Sequence, residues 1–63
     1  MNFAGHLKCL RIDKKLSQKT LSEELGIPQT TLSDLENNKY EPDISLAKKI
    51  ATYFNRKIDD MIE

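Results

Sequence analysis

The sequence predicts an all-α fold, a compact bundle of five short helices, and three observations carry that expectation. Apolar residues recur at helical spacing, as in Phe3, Leu7 and Leu10, and no alternating apolar and polar run marks a strand. The apolar fraction of 38% comes largely from eight Leu and six Ile, with no Val and no Trp, so β-branched clustering is weak. Start and stop residues follow one another at intervals that suit short helices.

The first helix is expected from about Asn2 to Lys14, with Phe3, Leu7 and Leu10 on one stripe. Ser17 is a good N-cap for the second, and Leu16 and Leu21 fit a hydrophobic staple across it. Gly26 ends that helix, because the residue after a helix is often left-handed and glycine adopts that backbone without strain. Pro28 suits the first turn of the third helix, where its missing N–H is not needed. Asn37 and Asn38 end it, since Asn tolerates positive φ. Pro42 and Asp43 cap a fourth helix carrying Leu46, Ala47, Ile50, Ala51 and Phe54, and a last short turn carries Ile58, Met61 and Ile62.

Sixty-three residues make one domain, 1–63. A chain of this size buries only about 60% of its unfolded surface, so it needs tight helix packing, a partner or a staple. One cysteine excludes an internal disulfide. His6 and Cys9, spaced i, i+3, do not make a four-ligand metal site, and no metal or cofactor is expected. No apolar run is long enough for a membrane span or a signal-peptide core, and the expected compartment is a reducing cytoplasm. No set of nucleophile, base and orienting group is visible, nor a Gly-rich phosphate loop, so an enzyme is not expected.

Ten Lys and Arg balance ten Asp and Glu. A neutral total argues against nucleic acid, whose partners are usually basic, but the balance is regional. Residues 1–20 carry a net +4, residues 21–45 a net −5 and residues 46–63 a net +1. A bound polyanion meets the local field rather than the total.

The second and third helices are separated by a very short turn at Gly26 and Ile27, so they must cross steeply. The crossing needs a small residue, and Ser22 lies one turn before Gly26. Leu21, Leu25, Ile27, Leu32 and Leu35 can fill the wedge between them. This is a helix-turn-helix over about residues 17–37. At about 100° per residue, Leu32 and Leu35 form the inner stripe of the third helix. Thr30, Ser33 and Asn37 lie opposite, flanked by Gln29 and Asp34. A solvated face would more often show Lys and Glu. Here the side chains are short hydrogen-bonding groups: Gln can bond adenine bidentately, Thr and Ser can donate or accept, and Asp can accept from cytosine N4.

Leu7-Lys8, Leu10-Arg11, Leu16-Ser17-Gln18, Leu21, Leu25-Gly26-Ile27, Thr31-Leu32, Leu35-Glu36, Pro42, Leu46 and Ile50-Ala51 together resemble the Cro/C1-type (XRE-like) helix-turn-helix family of small bacterial and phage transcription regulators. The resemblance implies a five-helix domain of the lambda-repressor type whose third helix enters the major groove of double-stranded DNA. Gln29, Thr30, Ser33 and Asp34 are then the expected base-reading residues. The family role of a phosphate-holding Gln at the start of helix two falls on Gln18. Asn37, Lys39, Tyr40 and Lys19 are expected phosphate contacts beside it, with Lys14 and Lys15 flanking the same surface in sequence. The family also pairs the positions of Arg11 and Glu36 as a partly buried ion pair, with a phosphate contact as a second use of Arg11.

Three residues depart from the family pattern. Ser22 replaces Ala at the crossing, Asn38 replaces Gly after the third helix, and Pro28 removes a Ser or Thr cap. Glu23 and Glu24 match a region some members use to touch RNA polymerase, although a solvated acidic face is the simpler account. One helix reads only a half-site, so a homodimer on a palindromic operator is expected. Its surface is expected on helices four and five at Phe54, Ile58, Met61 and Ile62. The expected function is a sequence-specific repressor. The alternative is a protein-interaction module on the same fold, such as an antitoxin-like partner, suggested by the neutral total charge and the acidic middle segment.

Overall fold

A computed structural model describes residues 2–62; Met1 and Glu63, the ends of the expected 1–63 domain, lie outside the described residues. Five helices follow in order: α1 Phe3–Asp13, α2 Gln18–Leu25, α3 Gln29–Glu36, α4 Ile44–Tyr53 and α5 Ile58–Ile62. The expected bounds hold to within a residue. Asn2 and Lys14 are the caps of α1 rather than its ends, and Pro28 is the N-cap of α3 rather than its first turn. Pro28 has φ −63° but ψ 146°, so its fixed φ is met in extended backbone just outside the helix.

Three of the helix starts are capped by side chains. Asn2 accepts from the Gly5 N–H, Ser17 from Thr20 and Asp43 from Leu46. α3 has no side-chain cap, as Pro28 requires. The helix ends share one device. After α1, α2, α3 and α4 a single residue turns left-handed: Lys15 (φ 58°), Gly26 (φ 71°), Asn38 (φ 60°) and Asn55 (φ 56°). In each case the next N–H reaches back five residues: Leu16 to the Arg11 carbonyl, Ile27 to Ser22, Lys39 to Asp34 and Arg56 to Ala51. This is the Schellman closure, which satisfies helix carbonyls that would otherwise be orphaned. Only one of the four positions is glycine. The two Asn tolerate the left-handed region through their short polar side chains, whereas Lys15 does not have that advantage.

The core draws on every helix. Leu7, Leu21, Leu25, Leu32, Leu35, Ile50, Ala51, Phe54 and Met61 form one buried cluster, with Phe3, Leu10, Leu16, Ile27, Leu46 and Tyr53 packed against it. α2 packs on α3 and α4, while α1 packs on α3 and α5. The small residue needed at the α2–α3 crossing is Ser22, which is buried; its hydroxyl donates to the Lys19 carbonyl at 2.8 Å, so no polar group is stranded there.

A second tie joins α2 to α4. The Tyr53 hydroxyl donates to Glu24 Oε1 at 2.6 Å. The Lys14 ammonium lies 5.6 Å from the Tyr53 ring centre and 5.8 Å from that of Phe54, within cation–π range. Lys14 is therefore directed to the end of α4.

Lys15→Gly should raise stability by about 1 kcal/mol in urea denaturation, the cost of a left-handed non-glycine residue, while Asn38→Gly should gain less. The hydrogen bond to Glu24, then desolvation and the Glu24 charge, raise the Tyr53 pKa above its ordinary value of 10.0. A raised folded value means the contact stabilises fully below the unfolded phenol's pKa and is lost as pH climbs through the folded one. An NMR titration should place the Tyr53 midpoint above 10.0, and Glu24→Ala should bring it back.

Candidate nucleic-acid interface

The site is organised around one buried carboxylate. Glu36, the last residue of α3, is buried, with its side chain only 1% exposed. Arg11 of α1 meets it side-on: Nε donates to Oε2 at 2.6 Å and Nη2 to Oε1 at 3.0 Å. Such a fork fixes direction as well as distance. The third guanidinium nitrogen, Nη1, donates to the Leu16 carbonyl at 2.8 Å. Gln18, the first residue of α2, adds its amide Nε2 to Glu36 Oε1 at 3.1 Å. One carboxylate thus joins α1, the start of α2 and the end of α3 in a single network. Among the described residues no buried side-chain polar atom lacks a partner, the condition under which a buried ion pair is tolerated. The sequence expected the Arg11–Glu36 pair; the involvement of Gln18 and the Leu16 carbonyl was not legible.

Arg11 spends three of its five N–H donors within the protein, one from each nitrogen. Gln18 keeps its second amide hydrogen and is half-buried at the α2 start, where helix N–H groups favour an anion. Lys19, beside it, is exposed.

On α3, Leu32 and Leu35 are buried, while Gln29, Thr30 and Asp34 are exposed and Ser33 is half-buried. The four expected base-reading residues therefore lie together on the side of the helix turned from the core. Asn37 folds back on α3, its Nδ2 donating to the Ser33 carbonyl at 2.9 Å and lying 3.4 Å from the Ser33 hydroxyl. With that nitrogen turned inward, Lys39 is the loop's charged donor. It is exposed. Tyr40 is half-exposed but borders an apolar groove with α4 and α5.

The expected dimer residues separate. Phe54 and Met61 are 5% and 1% exposed and belong to the core, so a partner copy has no access to them. They sit at the α4 end and on α5, where so small a core needs a lid. Ile58 is half-buried and Ile62 is 61% exposed; both line the groove beside Tyr40. Cys9 is exposed, and among the described residues no cluster of His, Cys, Asp and Glu could hold a metal ion. Among them, too, no helix is long and apolar enough to cross a membrane.

Two packed helices joined through a left-handed Gly26, with a polar outer face on the second, are the arrangement of a DNA-binding helix-turn-helix. A family model described as helix-turn-helix matches residues 7–61. The chain belongs to this Cro/C1-type helix-turn-helix family of non-enzymatic, DNA-binding transcription regulators. It is 40% identical over 55 residues to an uncharacterised HTH-type transcriptional regulator of Methanocaldococcus jannaschii, covering 87% of this chain and 83% of that one. It is 34% identical over 62 residues to the HTH-type transcriptional activator BcrR of Enterococcus faecalis, covering 98% of this chain and 30% of the activator. The immunity repressor protein of Bacillus phage phi105 is 29% identical over 51 residues, with 81% and 35% covered.

Arg11→Ala or Glu36→Ala should each cost about 3–5 kcal/mol, because each strands the partner's buried charge. Replacing both, as Arg11→Met with Glu36→Leu, should recover a large part of that loss in the same denaturation experiment.

Proposed function

We propose that the protein is a sequence-specific repressor acting in the cytoplasm, its two copies reading a palindromic operator with α3 of each in the major groove. The observation that carries the reading is the outward grouping of Gln29, Thr30, Ser33 and Asp34 on a helix whose opposite side is sealed by Leu32 and Leu35 and whose end is clamped at Glu36. A rigid helix with short polar side chains suits base edges better than it suits solvent. Gln29 is suited to adenine and Asp34 to the amino group of cytosine.

Affinity in this reading comes from Lys39, Lys19 and the first turn of α2 beside Gln18, through phosphate contacts. Asn37 and Tyr40 are the loop's further proposed phosphate contacts, with the Asn37 Nδ2 also donating to the Ser33 carbonyl. With no Lys or Arg on α3 itself and a neutral total charge, nonspecific affinity is weak, and specificity depends on two half-sites held about 34 Å apart. Repression is the direction proposed because occupying a site that overlaps a promoter is enough to exclude polymerase. A contact between Glu23 or Glu24 and polymerase would give the opposite sign.

Selection from random duplex DNA tests the core of this proposal. An enriched palindrome at moderate salt is the expected result, and none would overturn it. On the selected site, Gln29→Ala or Thr30→Ala should relax discrimination at one position by about 1–3 kcal/mol. Lys39→Ala should instead weaken all sequences alike and reduce the salt slope by about one. Mass measurements with and without the selected duplex give the number of copies bound.

A further inference from the structure

Four large apolar side chains among the described residues are prominently exposed: Ile12, Tyr40, Ile44 and Ile62. Three of them converge on one groove. Ile44 is 68% exposed, Ile62 61% and Tyr40 50%, and all three line a cleft of about 520 Å³ between the start of α1, the α3–α4 loop, the start of α4 and α5. Its floor includes Phe3, Ala4, Leu35, Ala47 and Ile58. Scattered exposed apolar residues need no explanation, but a contiguous set around a concave floor marks a binding surface.

Among the described residues the side-chain charges lining the groove have one sign: Glu41, Asp43 and Asp59 line it, and no Lys, Arg or His does. The rim is anionic while the chain as a whole is neutral. A second copy seated groove to groove would set these three carboxylates against the same three, and juxtaposed like charges disfavour a pairing. An apolar segment flanked by Lys or Arg meets both features: its apolar residues fill the floor and its cations meet the rim.

We propose that this groove is a docking site for another polypeptide, through an amphipathic segment with an apolar face and basic flanks. The surface is separate from the outward face of α3, and its occupation is measurable without DNA, so the proposal can fail or hold independently of the operator reading.

The test uses two synthetic amphipathic peptides with the same Leu face, one carrying Lys and the other Glu on the polar face. Binding is followed by amide shift mapping on the full chain. The Lys peptide should bind at least roughly tenfold more tightly than the Glu peptide, a difference of about 1.4 kcal/mol, with shifts centred on Tyr40, Ile44, Ile58 and Ile62. Ile44→Ser with Ile62→Ser should abolish binding and leave the fold intact, since both side chains are mostly exposed. Glu41→Gln with Asp59→Asn should remove the preference for Lys; Asp43 is left unchanged because it caps α4. Equal binding of the two peptides, binding of neither, or shifts centred elsewhere would overturn the proposal. So would a DNA-free dimer that is lost in the Ile44→Ser, Ile62→Ser variant, because the occupant would then be a second copy.

Discussion

The arrangement of the helix-turn-helix depends on one buried carboxylate. Glu36 closes α3 and is gripped by Arg11 from α1 and by Gln18 from the start of α2, while the same Arg11 holds the Leu16 carbonyl of the connecting turn. Apolar packing by Leu21, Leu25, Leu32 and Leu35 brings the two helices together, but hydrophobic contact is non-directional. The directional part comes from the guanidinium fork, which admits one relative orientation of α1 and the end of α3. A helix that holds Gln29, Thr30 and Asp34 outward gains more from such orientation than from the net energy of the pair, which burial largely offsets.

That economy explains how the charges are used. Arg11 is engaged by Glu36 and the Leu16 carbonyl, and Lys14 is directed to the Tyr53 and Phe54 rings at the end of α4. The +4 of the first twenty residues is thus partly structural. Lys19 and Lys39 remain as exposed cations at the two ends of the helix-turn-helix. The acidic residues of the middle segment separate in the same way: Glu36 inward, Glu24 to Tyr53, and Glu41 and Asp43 to the groove rim.

Features written in local chemistry were legible in the sequence, including the caps Ser17 and Asp43, the stop at Gly26, the left-handed Asn38 and the apolar stripe of α3. The Arg11–Glu36 pair joins residues 25 apart and was reached through the family resemblance. What stayed hidden depends on how elements meet. Lys15 has no propensity for positive φ; its backbone is set by the hydrogen bond from Leu16 back to Arg11. Phe54 and Met61 are expected from the sequence at a dimer surface, but a core this small needs both as lids. The Tyr53 bond to Glu24 spans 29 residues, and neither side chain advertises the other. The groove was hidden for the same reason, since Tyr40, Ile44 and Ile62 are brought together only by tertiary packing.

The repeated Schellman closures have a consequence for how the molecule can adapt. Four residues separate α1 from α2, three separate α2 from α3, and four separate α4 from α5. Most of these link residues are committed to backbone hydrogen bonds of the preceding helix. There is little slack in which a hinge could work, so α2 and α3 must travel as one piece with α1. A reader of this kind does not mould itself to its target. Any mismatch of curvature or groove width must be absorbed by the duplex, and sequences that bend or narrow easily acquire an advantage at positions no side chain touches.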